Sequence, residues 1–354
     1  MLIAATSSVV AQSATLSNQK SRNGEQQSVT YDPIDYSAVK SILDKASQKT
    51  FLQRVAEALV RPMAQPQQPW GLDMNASFGL AYTQQTNVAL AALVIGSYAL
   101  HKGDRVAQKS SFSLGGLVSV NGFFRLALSG ENWFLSGNDV VAYSLSGGVM
   151  PTYFWGLGYA AADVNPRSKY TRCDATGKLA YKRRLVGGLW AGAELDARYG
   201  KAYAFEEQAM QYVAARGDVG SAYSVGVGLT IEFDSRDDSF NPSKGVHLTA
   251  LGEFRPKGFG NLSTSVWHLQ GGFNLYQSLW QGAVVALDMY ADMYSSAAPW
   301  LFWPVAGGES RMRGYYLGRY TDSKMASAQV ELRQRVYGSF GVCVWGGRRH
   351  FSPR

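Results

Sequence analysis

Four histidines, two cysteines and 26 acidic residues are the side chains of this chain that could serve as nucleophiles, metal ligands or acid–base groups. Their spacing argues against a catalytic centre. His101, His247, His268 and His350 are dispersed, and Cys173 and Cys343 stand far apart with no histidine nearby in sequence. Cys173 and Cys343 make no metal-ligand pattern and read as two thiols. No Ser-His-Asp set can be assembled, so we expect no enzyme, no metal and no cofactor. The charged residues that do concentrate lie in two stretches. In "FDSRDDSFNPSKGVHL" (233–248), Asp234, Arg236 and Asp237 run into a tight turn shaped by Asn241, Pro242 and Gly245. Taken alone, it reads as a hairpin whose acids and arginine neutralise one another. In "GGESRMRGYY" (307–316), Gly307 and Gly308 open a loop in which Arg311 and Arg313 lie among glycines and aromatics, followed by Gly314 and Tyr315.

The elements that must position these residues follow from composition and periodicity. Among 354 residues, 46% are hydrophobic and 17% charged, below the roughly 25% of a soluble domain. Glycine (38) and tyrosine (20) are abundant. The longest apolar run, "VALAALVIGSYAL" (88–100), is too short for the ~20 residues of a membrane helix. A β-rich chain, and a membrane barrel among such chains, suits this composition. The net charge of +8 comes from scattered cations, "YKRRL" (181–185) being the densest cluster, so the basic stripe that nucleic acid requires is missing.

Period-two alternation starts at Asn75 and persists. In "YSVGVGLTIEFD" (223–234), Val225, Val227, Leu229, Ile231 and Phe233 oppose a face of Ser224, Gly226, Gly228, Thr230, Glu232 and Asp234. "AVVALDMYADMY" (283–294) sets Leu287, Met289 and Ala291 against Asp288, Tyr290 and Asp292. "AQVELRQRV" (328–336) sets Val330, Leu332 and Val336 against Glu331, Arg333 and Arg335, and "LWAGAELDARY" (189–199) sets Leu189, Ala193 and Leu195 against Glu194, Asp196 and Arg198. Alternation alone also fits a half-solvated soluble sheet. About a dozen such strands without covering helices are better satisfied by apolar surroundings outside and a polar lumen inside, since a closed barrel leaves no backbone group unpaired. Short links at 134–139, 184–188, 239–245, 279–282 and 337–339 alternate with longer ones at 151–169, 200–220 and 295–322, as in an outer-membrane barrel.

Before the barrel, residues 1–14 have the apolar core and small cleavage-site residues of a secretory signal but not its basic start. Residues 15–74 comprise a polar segment, a short helix with Val39, Leu43, Phe51, Val55 and Leu59 near helical spacing, capped at Ser37 and stopped by Pro62, and a Pro/Gln linker. The barrel occupies 75–347, and at 348–354 the alternation breaks in a tail, "RRHFSPR".

The two charged stretches, in this order and about 65 residues apart, resemble motifs of the bacterial surface-antigen superfamily of outer-membrane barrels, the group of BamA, TamA and two-partner secretion transporters. There, an acidic-Arg-acidic strand end enters a Pro-Gly turn facing the periplasm, which Asp234, Arg236, Asp237, Pro242 and Gly245 match. A long outer loop with an Arg-Gly-aromatic tip then folds back into the lumen, matched by Arg313, Gly314 and Tyr315 with Gly307, Gly308 and Ser310 on the approach. The resemblance covers roughly residues 75–347 and implies 16 strands, of which we place thirteen, with the Arg-Gly-Tyr loop between the eleventh and twelfth. A loop arginine inside a lumen needs a carboxylate. Glu331, Asp288, Asp292 and Glu232 are the candidate partners, with Asp234 further round, and Glu331 comes first because Trp345 stands where the family places an aspartate.

The resemblance implies a bacterial outer-membrane protein that assists the insertion or translocation of proteins or lipids. Its surroundings would be outer-membrane lipid, its partners client outer-membrane proteins or lipids, and the barrel assembly machinery would insert it. The alternative is a passive channel or structural barrel. The family's periplasmic POTRA domains, roughly 75 residues each, find no place in the ~60 residues before the barrel, so the chain reads as a small, POTRA-less branch. It also stops three strands short of the family's end, which reads as a C-terminally truncated record giving an unclosed barrel.

Overall fold

Alternating side chains on an extended backbone produce one dominant element here, the antiparallel ladder. The computed structural model describes residues 72–83, 86–100, 109–134, 137–215, 220–307, 315–338 and 340–351. The readings for residues 1–71, including the signal, the short helix and the Pro/Gln linker, lie outside them.

The strands are β1 (Asp73–Thr83), β2 (Asn87–Tyr98), β3 (Ser110–Ser119), β4 (Phe124–Trp133), β5 (Asp139–Phe154), β6 (Ser168–Val186), β7 (Leu189–Tyr203), β8 (Ser221–Asp234), β9 (Gly245–Arg255), β10 (Val266–Trp280) and β11 (Ala283–Tyr294). The short strands β12 (Val305–Ala306) and β13 (Tyr320–Thr321) pair, among the described residues, only with each other, and β14 (Lys324–Tyr337) and β15 (Phe340–Phe351) complete the set. Thirteen of these form one sheet in the order β1 to β11, then β14 and β15, every neighbour antiparallel. Thirteen is the number the alternation gives, and the loop carrying Gly307 and Tyr315 does separate the eleventh and twelfth. No ladder joins β1 to β15 among the described residues, so the sheet is open at these two edges.

The sheet curls strongly. Arg198 on β7 hydrogen-bonds Tyr294 on β11, although three strands lie between them in the ladder order. Side chains therefore divide into a convex and a concave face. On β8, Val225, Val227, Leu229, Ile231 and Phe233 are all exposed on the convex face, while Ser224, Gly226 and Gly228 are buried on the concave one. Glu232 takes the concave side with them and pairs there with Lys182 and His247.

Links alternate by rim from β5 onward. One rim carries two-residue turns at 187–188 and 281–282, the longer link 235–244, and the junction of β14 with β15. The other carries the long connections 155–167, 204–220 and 295–323. Two of these fold into helices that the sequence reading does not anticipate, α1 (Tyr159–Val164) and α2 (Glu207–Ala215). Each is too short to show a full amphipathic stripe, and α2 is fixed by packing, with Ala209 and Val213 buried. A second difference concerns the tail. β15 continues to Phe351, so residues 348–351, read as an aberrant tail, remain in the ladder, with Arg348 opposite Ala328 and Phe351 opposite Met325. Backbone groups on β14 offer hydrogen bonds as far as they extend, whatever the side-chain pattern of the strand that takes them.

Candidate functional site

The concave face between β6 and β11 gathers ionisable side chains from strands that are not neighbours. Strand register brings some of them together: Glu253 on β9 faces His268 on β10, which faces Tyr294 on β11. Arg255, two residues along from Glu253, instead reaches over β8 to β7. What lets it pass is Gly226, whose missing side chain leaves a gap: a Cβ there would come within 2.7 Å of Arg255 Cγ and closer still to Glu253 Oε1. The guanidinium of Arg255 lies against the carboxylates of Asp196 and Glu253 and donates to Ser224 Oγ at 2.9 Å. Asp196 also meets Arg198 Nε at 2.9 Å and Lys178 Nζ at 3.0 Å. Arg255, Asp196 and Glu253 are fully buried.

His268 extends this network. Its Nδ1 lies 2.8 Å from Glu253 Oε2 and its Nε2 3.0 Å from Asp292 Oδ1. Only an imidazolium donates from both nitrogens, so the two carboxylates call for the charged ring. Tyr294 stacks on that ring at 4.0 Å between centroids, and the Tyr290 hydroxyl donates to Asp292 Oδ2 at 2.9 Å. Acids and cations are thus interleaved, as burial of charge requires. Spacing alone would let Glu194, Asp196 and Glu253, or Glu232, Asp234 and His247, hold a cation. The first group already faces Lys178, Arg198 and Arg255, and the second Lys182 and Arg236. Fixed positive charges occupy the place a metal would take.

A loop closes over this network. Residues 295–307 leave β11, form a 3-10 turn at Trp300–Phe302 and enter β12, and residues 315–323 lead through β13 to β14. Trp300, Leu301, Phe302 and Trp303 are nearly fully buried, packed with Phe154, Tyr170, Val213, Leu262 and Val266. Arg172 Nη2 on β6 donates to the Leu301 carbonyl at 2.7 Å, and the Phe302 ring lies 5.6 Å from Arg255 Cζ. Further along, Tyr316 packs edge-on against Tyr153 and tilted against Trp155, and burial pushes its hydroxyl pKa up. Gly307 is the pivot. Its φ is +111°, and a Cβ there would meet the Tyr316 carbonyl oxygen.

The residues expected from sequence are distributed as follows. Gly307 and Tyr315 lie in the loop, Tyr315 packing edge-on against Tyr320. Arg313, Gly308 and Gly314 lie outside the described residues. Glu331, Asp288, Asp292 and Glu232 are not brought to one point. Asp292 joins the buried network, and Asp288 accepts from Asn274 Nδ2 at 2.7 Å. Glu331 accepts from Arg333 Nε at 2.6 Å, and Glu232 pairs with Lys182 and His247 near the short-turn rim. The strand-turn motif neutralises itself: Arg236 binds Asp234 through Nε at 2.9 Å and Nη2 at 2.6 Å, which raises the Arg236 pKa. Asp237 accepts from the Ser243 hydroxyl and from the Ser243 and Lys244 amides, and these bonds hold its pKa down at about 2. Pro242 is buried in the turn, and Gly245 leaves it at φ +112°.

Arg255, Glu253, His268, Tyr294 and the 300–303 aromatics are the site residues that sequence reasoning missed. The alternation in "VHLTALGEFR" and "VWHLQ" already places Glu253, Arg255 and His268 on one face each. Nothing local says that these faces meet, because the partners lie on different strands.

No known protein-family profile matches the sequence, and no curated protein matches it. Solved structures do. BamA from Haemophilus ducreyi lacking POTRA domains 1–3 superposes with a TM-score of 0.54 at 13% identity, over 78% of this chain and 57% of that one. CdiB from Escherichia coli gives 0.51 at 13% identity, over 78% of this chain and 50% of that one. At such identities the likeness is one of fold: an all-β antiparallel sheet matching the barrel of these proteins. The chain spans about half the length of either structure.

Proposed function

We propose that this chain is an outer-membrane β-barrel protein that assists the insertion or translocation of proteins or lipids at that membrane, and that it acts without enzymatic chemistry. The observation that carries the reading is the folded loop segment 295–307, held on the concave face by Arg172, the 300–303 aromatics and the buried charges beneath them. A loop packed across the inner wall narrows the lumen, which disfavours a wide, steadily open pore. A barrel that opens toward membrane or client has a use for it, since the loop keeps the wall rigid while the edges stay free to move. The exposed apolar belt of the convex face supports a lipid surround, and β1 and β15 supply the weak seam. Clients would be outer-membrane proteins or lipids, and the barrel assembly machinery would insert the chain itself.

Planar-bilayer conductance tests this reading. The wild-type chain is expected to stay closed with brief flickers, and Trp300→Ala or Arg172→Gln to open it more often and for longer. A steady open pore in the wild type, indifferent to both substitutions, replaces the reading with a passive channel.

A further inference from the structure

The convex face is not evenly bulky. Where β9, β10, β11 and β14 run side by side, its outward positions form a row of Ala250, Gly271, Ala291 and Ala326, each directly opposite the next. The adjoining row, two residues nearer the short-turn rim, is Leu248, Phe273, Met289 and Ala328. Small side chains beside large ones leave a groove of about 630 Å³, and Arg348 on β15 lines its far end. Arg348 extends the bulky row, standing opposite Ala328. Lys324 stands on the other side of the small row, two residues along β14 from Ala326. Arg348 thus lines this end of the groove while Lys324 stands just outside its lining, and neither of these two exposed cations has an ion pair or hydrogen bond among the described residues.

Elsewhere on this face Asp139 on β5 sits with Arg183 on β6, the β8 positions are apolar throughout, and the exposed Lys169 and Lys201 stand away from this groove, Lys201 over the Tyr203 ring. An arginine on an apolar, lipid-facing surface is costly unless it reaches polar headgroups or meets an anion. A groove wide enough for a hydrocarbon chain, ending between two free cations, combines both needs of one kind of molecule.

We propose that this groove binds a lipid with an anionic phosphate headgroup, one acyl chain lying along Ala250, Gly271, Ala291 and Ala326 and the phosphate held between Arg348 and Lys324. Arginine suits a phosphate because its planar fork donates two parallel hydrogen bonds, and lysine adds a point charge. This inference rests on the membrane-barrel reading above. The groove would keep a chosen lipid against the β14–β15 edge, beside the seam at which the proposed function acts.

The test uses the full chain in nanodiscs of equal phosphatidylglycerol and phosphatidylcholine, with co-released lipid identified by native mass spectrometry. The wild type is expected to retain phosphatidylglycerol preferentially. The double variant Lys324→Gln, Arg348→Gln should reduce that preference about tenfold, from two lost cation contacts at a membrane surface. Ala291→Phe, which fills the groove and leaves the cations, should abolish retention of a bound lipid. Equal retention of the two lipids, or a preference unchanged by the double variant, overturns the proposal. Loss of retained lipid on adding inorganic phosphate alone also overturns it, since the site would then be one for free anions. Failure to enter nanodiscs overturns the membrane reading and the site together, whereas entry without lipid preference overturns only the site.

Discussion

Arg255 is held by Asp196, Glu253 and Ser224 with no exposed surface, so it neutralises two carboxylates that water cannot reach. Removing one member of a buried ionic set strands the others, at about 3–5 kcal/mol. Arg255→Met should lower stability by that amount, read from thermal unfolding in detergent, and a change within about 1 kcal/mol would mean that the network is not a brace. Gly226→Val should act in the same direction without removing a charge, because its side chain enters the space Arg255 and Glu253 occupy. Asp237 gives a pH prediction outside the strands. Its pKa falls from 3.8 to about 2 on folding, chiefly through the Ser243 hydroxyl. A lowered folded value adds stability that is complete above pH ~4 and is lost as pH falls toward 2. Protease cleavage within 237–244 should therefore rise over that window, and Asp237→Asn should be cleaved readily and independently of pH there.

The loop segment 295–307 is the element on which the proposed function depends, and its hold on the sheet is mostly aromatic. Trp300 packs against Phe154 and Tyr170 with centroids 5.7 and 6.0 Å apart. Trp300→Ala should cost about 3–5 kcal/mol of loop docking, seen as protease sensitivity within 295–323 while strand circular dichroism persists. Gly307→Val should release the return half of the loop for a different reason, its positive φ and its contact with Tyr316. If both variants stay as protected as the wild type, the loop is not a docked brace. In sequence, the glycines and arginines of 307–316 mark this loop as something other than a solvated link. The anchors at 300–303 were less legible, because "PWLFWP" has neither helical nor strand periodicity and its burial comes from β5, β6 and α2.

At the scale of the whole molecule, a curled sheet with an apolar convex face and a charged concave one supports the proposed membrane reading, with hydrocarbon outside and polar groups within. Leu229, 71% exposed on the convex face, and Thr230, its neighbour on the concave face, separate the two. Leu229→Arg should cost about 2–4 kcal/mol if the residue lies near the bilayer midplane, and Thr230→Arg far less. Folding yield into lipid vesicles measures both, and equal yields would contradict the assignment of faces.

Sequence by itself determined the period-two strands, the face each side chain takes and the division into short and long links. These are local properties: alternation needs only the next two residues, and a turn needs only its own glycines, prolines and aspartates. Tertiary structure decided which charges meet. Among the described residues Asp292 meets His268 and Tyr290, and the deepest pair, Arg255 with Asp196, spans an intervening strand. That pairing depends on the register of three strands, on the curl that brings β7 toward β11, and on a glycine whose importance lies in the atoms it lacks. The extension of β15 to Phe351 and the helices α1 and α2 were likewise decided by neighbours, because backbone donors and buried surfaces are supplied by whatever the fold places alongside.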